Sequence, residues 1–190
     1  GGNLAGGTHH AFAGAGAGYC VFNDIAVAIR ALQREGRIRR ALVVDLDVHQ
    51  GDGTAAIFAG DGDVFTFSMH GARNFPFRKM RSHLDVELED GTGDEAYLAL
   101  LRDHLPLVIE RAQPEIVFYQ AGVDPLAADR LGRMRLSFEG LAARDAFVLG
   151  MAKRAGVPVV LTMGGGYAEP IEHTVEAHVG TWREARRLFG

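Results

Sequence analysis

The sequence predicts a three-layer α/β/α protein in which helices cover both faces of a mainly parallel sheet. Three observations predict this class. Four short runs rich in β-branched and aromatic residues alternate with four helical patterns along the 190 residues. The runs are almost entirely apolar, which is typical of strands buried on both faces. No internal repeat or linker interrupts the pattern, so we expect residues 1–190 to form a single domain.

The elements follow one another in the order helix, strand, strand, helix, strand, helix, strand, helix. The predicted strands cover residues 41–48, 64–68, 115–120 and 157–162. The predicted helices cover residues 24–35, 95–112, 137–155 and 170–188. Gly36 and Gly156 stand where helix ends need left-handed geometry, and Ser137 is a suitable N-cap. We expect Pro106 to kink or split the second helix.

Composition excludes several functions. The chain has 20 basic and 24 acidic residues and a formal charge of -4, which argues against nucleic acid as a direct partner. Its apolar stretches are the length of buried strands, so we expect no membrane span. The single cysteine, Cys20, cannot form an internal disulfide, and no targeting segment is visible at the start. These observations predict a cytoplasmic protein.

Residues 45–53 carry two carboxylates and an imidazole at the end of the first predicted strand. The two-residue period of a strand sends Asp45, Asp47 and His49 to the same side. Burying a lone carboxylate is costly unless it is paired, hydrogen-bonded or bound to a cation. A cation is the simplest remedy. The alternative is that Asp45 caps a helix, Asp47 pairs with a distant arginine and His49 is structural.

Asp124 follows the third predicted strand and reaches the same rim of the sheet, where ligands collect in parallel α/β folds. Together with Asp47 and His49 it makes an Asp–His–Asp set with room for a further ligand, which is typical of a catalytic metal site. Alone, an aspartate before proline is usually a turn former. Oxygen-rich ligation leaves zinc, ferrous iron, manganese and cobalt open.

Tyr167 and two tandem histidines lie in glycine-rich loops. The Tyr167 phenol can donate a hydrogen bond to a developing oxyanion, although a half-buried tyrosine after a flexible turn is the simpler interpretation. His9 and His10 are loop residues, metal ligands or proton carriers that are each bonded to a carboxylate. Asp45 and Asp52 are spare carboxylates of the right kind, because the three-ligand site does not need them.

Five motifs resemble, in order and spacing, the histone deacetylase superfamily, and most closely bacterial members similar to its class IV branch. They are GGTHHA (6–11), GYCVFNDIA (18–26), DLDVHQGDG (45–53), AGVD (121–124, with Asp129 and Gly132 following) and GGGY (164–167). The resemblance implies an arginase/deacetylase-like fold. Family members extend N-terminally of the tandem histidines, so we expect this chain to be the C-terminal portion of a longer catalytic domain and to be poorly stable or inactive alone.

The resemblance also implies an activity and a metal. The activity is that of a zinc-dependent amidohydrolase acting on acetylated lysine, an acetylpolyamine or another small acylated substrate. Zinc would be held by Asp47, His49 and Asp124, with Fe²⁺, Mn²⁺ or Co²⁺ as alternatives. A structural K⁺ would be held by Asp45, Asp47, His49, Ser68 and Met69.

The resemblance assigns roles to the remaining site residues. His10 would be the general base and then the acid that protonates the leaving amine, with His9 as its electrostatic partner. Asp45 would orient toward His9 and Asp52 toward His10. Tyr167 would hydrogen-bond the acetyl carbonyl. The walls of the substrate tunnel would be formed by Gly18, Tyr19, Phe75 and Leu131.

Two other functions are compatible with the residues. A ureohydrolase-like binuclear manganese hydrolase shares the fold, but it needs more carboxylate ligands than the sequence assigns. A catalytically silent acyl-amine binding module would be favoured if the tandem histidines or Tyr167 were replaced, and they are present. The sequence gives no indication of an oligomeric state.

Overall fold

The computed structural model describes all residues from Gly1 to Gly190 as one sheet flanked by helices. The six strands are β1 (Gly2–Asn3), β2 (Ala41–Asp45), β3 (Val64–Gly71), β4 (Leu84–Leu88), β5 (Ile116–Gln120) and β6 (Val159–Thr162). The five helices are α1 (Asp24–Arg34), α2 (Asp52–Ile57), α3 (Asp94–Ala112), α4 (Phe138–Ala155) and α5 (Ile171–Phe189).

The sheet has the strand order β1-β6-β5-β2-β3-β4, and every neighbouring pair is parallel. β2 lies in the middle, with Ala41 opposite Ile116 of β5 on one side and Val64 of β3 on the other. Because β2 and β5 are adjacent and parallel, the loops that follow them leave the same edge of the sheet. This edge carries the candidate site.

Alternate residues of β2 face two different cores, which is the three-layer arrangement predicted from the sequence. Leu42 and Val44 belong to the larger core, which includes buried residues of α3, α4 and α5. Ala41 and Val43 belong to the smaller core, which includes buried residues of α1 and Phe58 after α2. The two-residue period of the strand therefore separates the helices onto the two faces. No helix combines the length and apolar character needed to cross a membrane.

The predicted helix ends are confirmed. The Ser137 hydroxyl accepts a hydrogen bond from Gly140 N at the start of α4. Gly36 and Gly156 have φ angles of 66° and 69°, the left-handed geometry that closes a helix. α3 continues through Pro106, so of the two predicted outcomes, a kink or a split, the split is wrong. Leu105 before the proline and Val108 after it are both buried in the larger core and hold the two halves together.

Several other boundaries differ from the prediction. β2 ends at Asp45 rather than at residue 48, so Asp47 and His49 lie on the loop after the strand. β3 extends three residues further than predicted, to Gly71. β1, α2 and β4 were not predicted, since β1 has two residues, α2 has six and β4 carries two acidic residues at the sheet edge.

Candidate metal centre and active site

Asp47, His49 and Asp124 meet at the carboxyl edge of the sheet, on the loops that follow β2 and β5. One ligand atom from each residue lies within 4.8 Å of the others. His49 Nδ1 is 2.9 Å from Asp124 Oδ2 and 3.1 Å from Asp47 Oδ1. All three residues are buried. The structure thus brings together the three residues that the sequence singled out, although they do so from loops and not from one face of a strand.

Backbone groups hold the two carboxylates in place. Asp47 Oδ2 accepts a hydrogen bond from Gly165 N at 2.7 Å, and Asp124 Oδ1 accepts one from Val48 N at 2.8 Å. A Cβ at Gly122 would collide with the Asp47 carboxylate, and one at Gly165 would collide with that of Asp124. Glycine at these positions lets the backbone approach the carboxylates closely enough to orient them.

The residues of this cluster strongly shift one another's pKa values. Burial and the nearby Asp47 charge raise the pKa of Asp124 to about 7. Burial opposes ionisation of Asp47, but His9 and His49 outweigh it and hold its pKa well below the usual range. The Asp124 and Asp47 carboxylates raise the pKa of His49 to about 10 against the effect of burial. Two buried carboxylates around one imidazole nitrogen are a donor set that fits a divalent cation.

His9 and His10 are buried beside the cluster, and each is bonded to its own carboxylate. His9 Nδ1 lies 2.7 Å from Asp45 Oδ2, and His10 Nδ1 lies 2.7 Å from Asp52 Oδ1. His9 Nε2 also lies 3.9 Å from Asp47 Oδ1. The structure therefore contains the two histidine–carboxylate pairs that the sequence led us to expect.

The two pairs differ in electrostatics despite their equal bond lengths. Burial lowers the pKa of His9, but the charges of Asp45 and Asp47 outweigh it and raise the value to about 9. Burial lowers the pKa of His10, and the Asp52 hydrogen bond offsets this only in part. His9 is therefore cationic at neutral pH and His10 is neutral. The positive charge on His9 further favours the neutral form of His10.

Asn23 and Asp24, at the start of α1, hydrogen-bond to the loop that carries His9 and His10. The Asn23 amide donates to Ala11 O at 3.2 Å and to Thr54 Oγ1 at 2.9 Å, while its oxygen caps α1 at Ala26 N. The Asp24 carboxylate accepts from the backbone of Thr8 at 2.9 Å. Asn23 and Asp24 both lie inside the GYCVFNDIA motif (18–26), but no role for them was predicted from the sequence.

Tyr167 stands at the opening of the site. Its backbone N–H donates to Asp129 Oδ2 at 2.5 Å, and its ring centroid is 6.5 Å from that of His49. Asp129 Oδ1 also accepts from the backbone of Leu131 and Gly132, each at 2.8 Å. Asp129 thereby fixes Tyr167 relative to Leu131 on the rim.

A cleft of about 420 Å³ leads from the surface to His10, His49 and Tyr167. Its lining includes all four predicted tunnel residues, Gly18, Tyr19, Phe75 and Leu131. A smaller cavity of about 160 Å³ borders His9, Asp47 and the glycines before Tyr167. Both cavities share His10, His49 and Tyr167, so these side chains stand between the aromatic cleft and the charged cluster.

Four further lining residues were missed by the sequence analysis: Arg73, Asn74, Phe77 and Arg133. The Asn74 side chain donates to Leu131 O at 2.8 Å and so joins the two loops that form the rim. The arginines belong to stretches rich in basic residues that look like ordinary solvated loops. Nothing in their local pattern separates them from their neighbours, because the cleft is formed by loops distant in sequence.

The residues expected to bind potassium lie close to the loop that carries Asp47 and His49. Asp45 of β2 is the register partner of Ser68 on β3, and Met69 follows it, with all three buried. The Ser68 hydroxyl lies 2.8 Å from His70 Nδ1. Asp45 Oδ1 accepts a hydrogen bond from Asp47 N at 3.2 Å. The potassium site itself stays a prediction.

Comparison with known proteins identifies the family. The model of the histone deacetylase domain matches residues 2–182. An uncharacterized protein of Picosynechococcus sp. is 49% identical over 98% of this chain and 62% of its own length. Histone deacetylase 2 of Arabidopsis thaliana is 36% identical over 87% of this chain and 43% of its own. The histone deacetylase-like amidohydrolase of Pseudomonas aeruginosa is 34% identical over 85% of this chain and 46% of its own length.

A solved structure shares the fold. The acetylpolyamine aminohydrolase from Burkholderia pseudomallei superposes with a TM-score of 0.81 over 96% of this chain and 54% of its own, at 24% sequence identity. The chain thus spans about two fifths to three fifths of the length of these relatives. With a family model that covers residues 2–182 and a matching three-layer fold, the chain belongs to the histone deacetylase family.

Proposed function

We propose that this protein is a zinc-dependent amidohydrolase that removes acetyl or similar acyl groups from acetylated lysine or a related amine. The single observation that carries the proposal is the buried cluster of Asp47, His49 and Asp124 at the base of an aromatic cleft, next to two histidine–carboxylate pairs. The family supports the reaction class, since one relative is described as a histone deacetylase-like amidohydrolase.

Asp47, His49 and Asp124 are the residues that would hold the metal. A divalent ion held by them would polarise the amide carbonyl and lower the pKa of a nearby water molecule toward about 7. Two carboxylates and one imidazole suit zinc, and they also suit ferrous iron, manganese and cobalt. The backbone bonds from Val48 and Gly165 orient the carboxylates before any ion binds.

His10 is the residue we assign to proton transfer. Asp52 binds its Nδ1, which fixes the ring and leaves Nε2 for the substrate side. A neutral His10 accepts a proton from water at Nε2, and the resulting imidazolium donates it to the leaving amine nitrogen. His9, whose pKa the Asp45 and Asp47 charges raise to about 9, supplies positive charge next to Asp47.

Tyr167 is the residue we assign to stabilising the tetrahedral transition state. Burial and the charges of Asp47 and Asp124 raise the pKa of its phenol, so the hydroxyl remains protonated and available as a donor. Its hydrogen bond strengthens as negative charge develops on the carbonyl oxygen, which accelerates the reaction rather than merely improving binding. Asp129 holds the backbone from which the side chain extends.

The cleft supports an acylated amine as the substrate. Phe75 lies against His10 with ring centroids 5.0 Å apart, so an aromatic wall reaches down to the base. The methylene stem of an acylated lysine or polyamine is apolar once acylation has removed the charge, and such a stem suits a cleft with aromatic walls. The residues that line the cleft are compatible with both acetylated lysine and an acetylpolyamine.

Three further assignments belong to the proposal. Residues 1–190 form the C-terminal portion of one histone deacetylase-like catalytic domain, supported by the family match over residues 2–182. A structural K⁺ near Asp45 and Ser68 would stiffen the strand ends beneath the metal ligands. The cytoplasmic location predicted from the single cysteine remains a prediction.

The binuclear alternative has less support. Asp45, a further carboxylate beside the cluster, is committed through Oδ2 to His9 and through Oδ1 to Asp47 N. Asp47, His49 and Asp124 form the one group of three acidic or histidine side chains close enough to share an ion. A second metal would have to displace these existing bonds.

The proposal is tested by measuring acetate release from acetyl-lysine peptides and acetylpolyamines, using the purified full-length protein that contains residues 1–190, loaded with Zn²⁺. Wild type should release acetate from at least one substrate class, while Tyr167→Phe and His10→Ala should lose most of that activity. If metal-loaded wild type and both variants are equally inactive on every substrate, the hydrolase assignment is wrong. The silent binding module would then be the better description.

A further inference from the structure

An arginine and an aspartate form an ion pair in the middle of α4, beneath the metal cluster. Arg144 is 0% exposed and Asp145 is 1% exposed. Arg144 Nε donates to Asp145 Oδ1 at 2.9 Å, and Nη2 lies 2.8 Å from the same oxygen. Burying a guanidinium costs several kcal/mol unless it is fully paired. Its location therefore requires a physical explanation.

The third guanidinium nitrogen reaches both loops that carry the metal ligands. Arg144 Nη1 donates to Gly122 O at 2.6 Å and to Leu46 O at 3.3 Å. Leu46 immediately precedes Asp47, and Gly122 stands two residues before Asp124. One side chain thus binds the backbone on both sides of the cluster without touching a ligand.

Asp145 anchors the arginine to the rest of the fold. Its Oδ1 accepts a hydrogen bond from Tyr119 Oη of β5 at 2.5 Å, and its Oδ2 accepts one from Thr181 Oγ1 of α5 at 2.6 Å. The carboxylate is therefore held by three elements: α4, which carries it, β5 and α5. An anchor of this kind leaves the guanidinium little freedom to move relative to the two loops.

Stability alone is a weak explanation for such a pair. Replacing a buried ion pair with apolar side chains of similar volume is often neutral or stabilising. What apolar side chains cannot do is donate to two carbonyl oxygens on separate loops. A lysine would keep the charge, but it lacks the planar fork that serves the carboxylate and the carbonyls at once.

We propose that Arg144 is a positioning residue which, anchored by Asp145, fixes the spacing of Asp47 and Asp124 and thereby sets metal affinity and turnover. This inference rests on the metal site of the proposed function. It assigns to α4 a role in the active site, although no atom of Arg144 lines the cleft.

The test compares Arg144→Lys and the double variant Arg144→Met with Asp145→Asn against wild type. Zn²⁺ affinity is measured by competition with a chromophoric chelator, ligand geometry by the visible absorption of the Co²⁺ form, and stability by the Tm of the metal-free protein. We expect metal affinity to fall by about 10–100-fold in both variants, the usual effect of losing a group that orients a ligand. The Co²⁺ spectrum should also change.

Tyr97→Phe is the matched control. Tyr97 is buried in the larger core, where its hydroxyl lies beside the Arg144 guanidinium and bonds to neither metal-ligand loop. The variant perturbs packing near the pair without touching either loop, so metal affinity should stay within about twofold of wild type.

The double variant separates positioning from stability. Because the double variant removes both charges, the Tm of its metal-free form should lie close to that of wild type, while its Zn²⁺ affinity should stay low. If affinity and the Co²⁺ spectrum match wild type in either the double variant or Arg144→Lys, Arg144 has no positioning role. Arg144 also has no positioning role if Zn²⁺ affinity falls only in proportion to the loss of Tm and the Co²⁺ spectrum is unchanged.

Asp124→Asn distinguishes this failure from failure of the metal site. Loss of metal binding in Asp124→Asn, with unchanged binding in the Arg144 variants, overturns only the inference about Arg144. Unchanged metal binding in Asp124→Asn overturns the proposed site itself.

Discussion

The floor and the mouth of the cleft are built on opposite principles. The floor consists of His9, His10, Asp47, His49 and Asp124, none of which is more than 8% exposed. The mouth consists of Tyr19, Phe75, Phe77 and Leu131, which are 37% to 90% exposed. Every floor side chain has a hydrogen-bond partner in the protein, whereas the mouth side chains are aromatic or aliphatic groups open to solvent.

This difference divides the work of the site between chemistry and selection. A floor group moved by one ångström loses its partner and its charge balance, so floor substitutions should act mainly on kcat. A mouth group makes nonpolar contacts that substrate and transition state share, so mouth substitutions should act mainly on KM. The following predictions test that division.

The largest effect is expected for His10→Ala on the floor. Removal of the group that transfers the proton should lower kcat by about 10²–10⁴-fold, with a small change in KM. His104→Ala is the matched control, because His104 bonds only to Leu100 O within α3 and should leave the rate unchanged. A His10→Ala variant with wild-type kcat would remove His10 from the mechanism.

Tyr167→Phe should have the next largest effect. The variant keeps the ring and loses the hydroxyl, so kcat should fall by about 10²–10³-fold, the usual loss for an oxyanion donor. KM should change little, since the bond strengthens only in the transition state. Steady-state kinetics on one acetylated substrate measure both values. A rise in KM with unchanged kcat would place Tyr167 among the mouth residues.

A smaller effect is expected from Asp52→Asn, and pH resolves it. Activity requires neutral His10, so kcat/KM should rise with pH through the pKa of His10 in the free enzyme. Because burial lowers this pKa below its ordinary value of 6.5, the acid limb should lie below pH 6.5. The Asp52 hydrogen bond raises the pKa, so Asp52→Asn should shift the limb to still lower pH. A limb that moves upward would contradict the pairing.

The smallest effects belong to the mouth. Phe75→Ala should raise KM by about tenfold, equivalent to about 1.4 kcal/mol, because its ring lies against His10 and lines the cleft. Phe77 is 88% exposed, so Phe77→Ala should change KM by less than about threefold. Loss of kcat without a change in KM in either variant would contradict the division between floor and mouth.

Much of the fold followed from local pattern. The apolar runs identified β2, β3, β5 and β6, because a strand that is buried on both faces can be recognised from its own apolar residues. β4 was missed, although residues 84–88 alternate cleanly between apolar and acidic side chains. That alternation is typical of a half-buried strand, and it was the available signal.

The candidate site likewise contains residues that local pattern predicts and residues that it does not. The sequence singled out Asp47, His49 and Asp124 because carboxylates next to apolar strands are conspicuous. The sequence pattern did not single out Arg144, because it resembles any other basic residue on a predicted helix. Its burial depends on Leu46 and Gly122, which lie 98 and 22 residues away in the chain. Contacts of that kind leave no local periodicity to detect.

Metal stoichiometry tests the central claim most directly. After incubation with Zn²⁺ and removal of excess metal, elemental analysis should find one tightly bound ion per wild-type chain. Asp124→Asn and His49→Ala should each retain none. Two ions per chain, or one ion retained by both variants, would show that Asp47, His49 and Asp124 are not a mononuclear metal site.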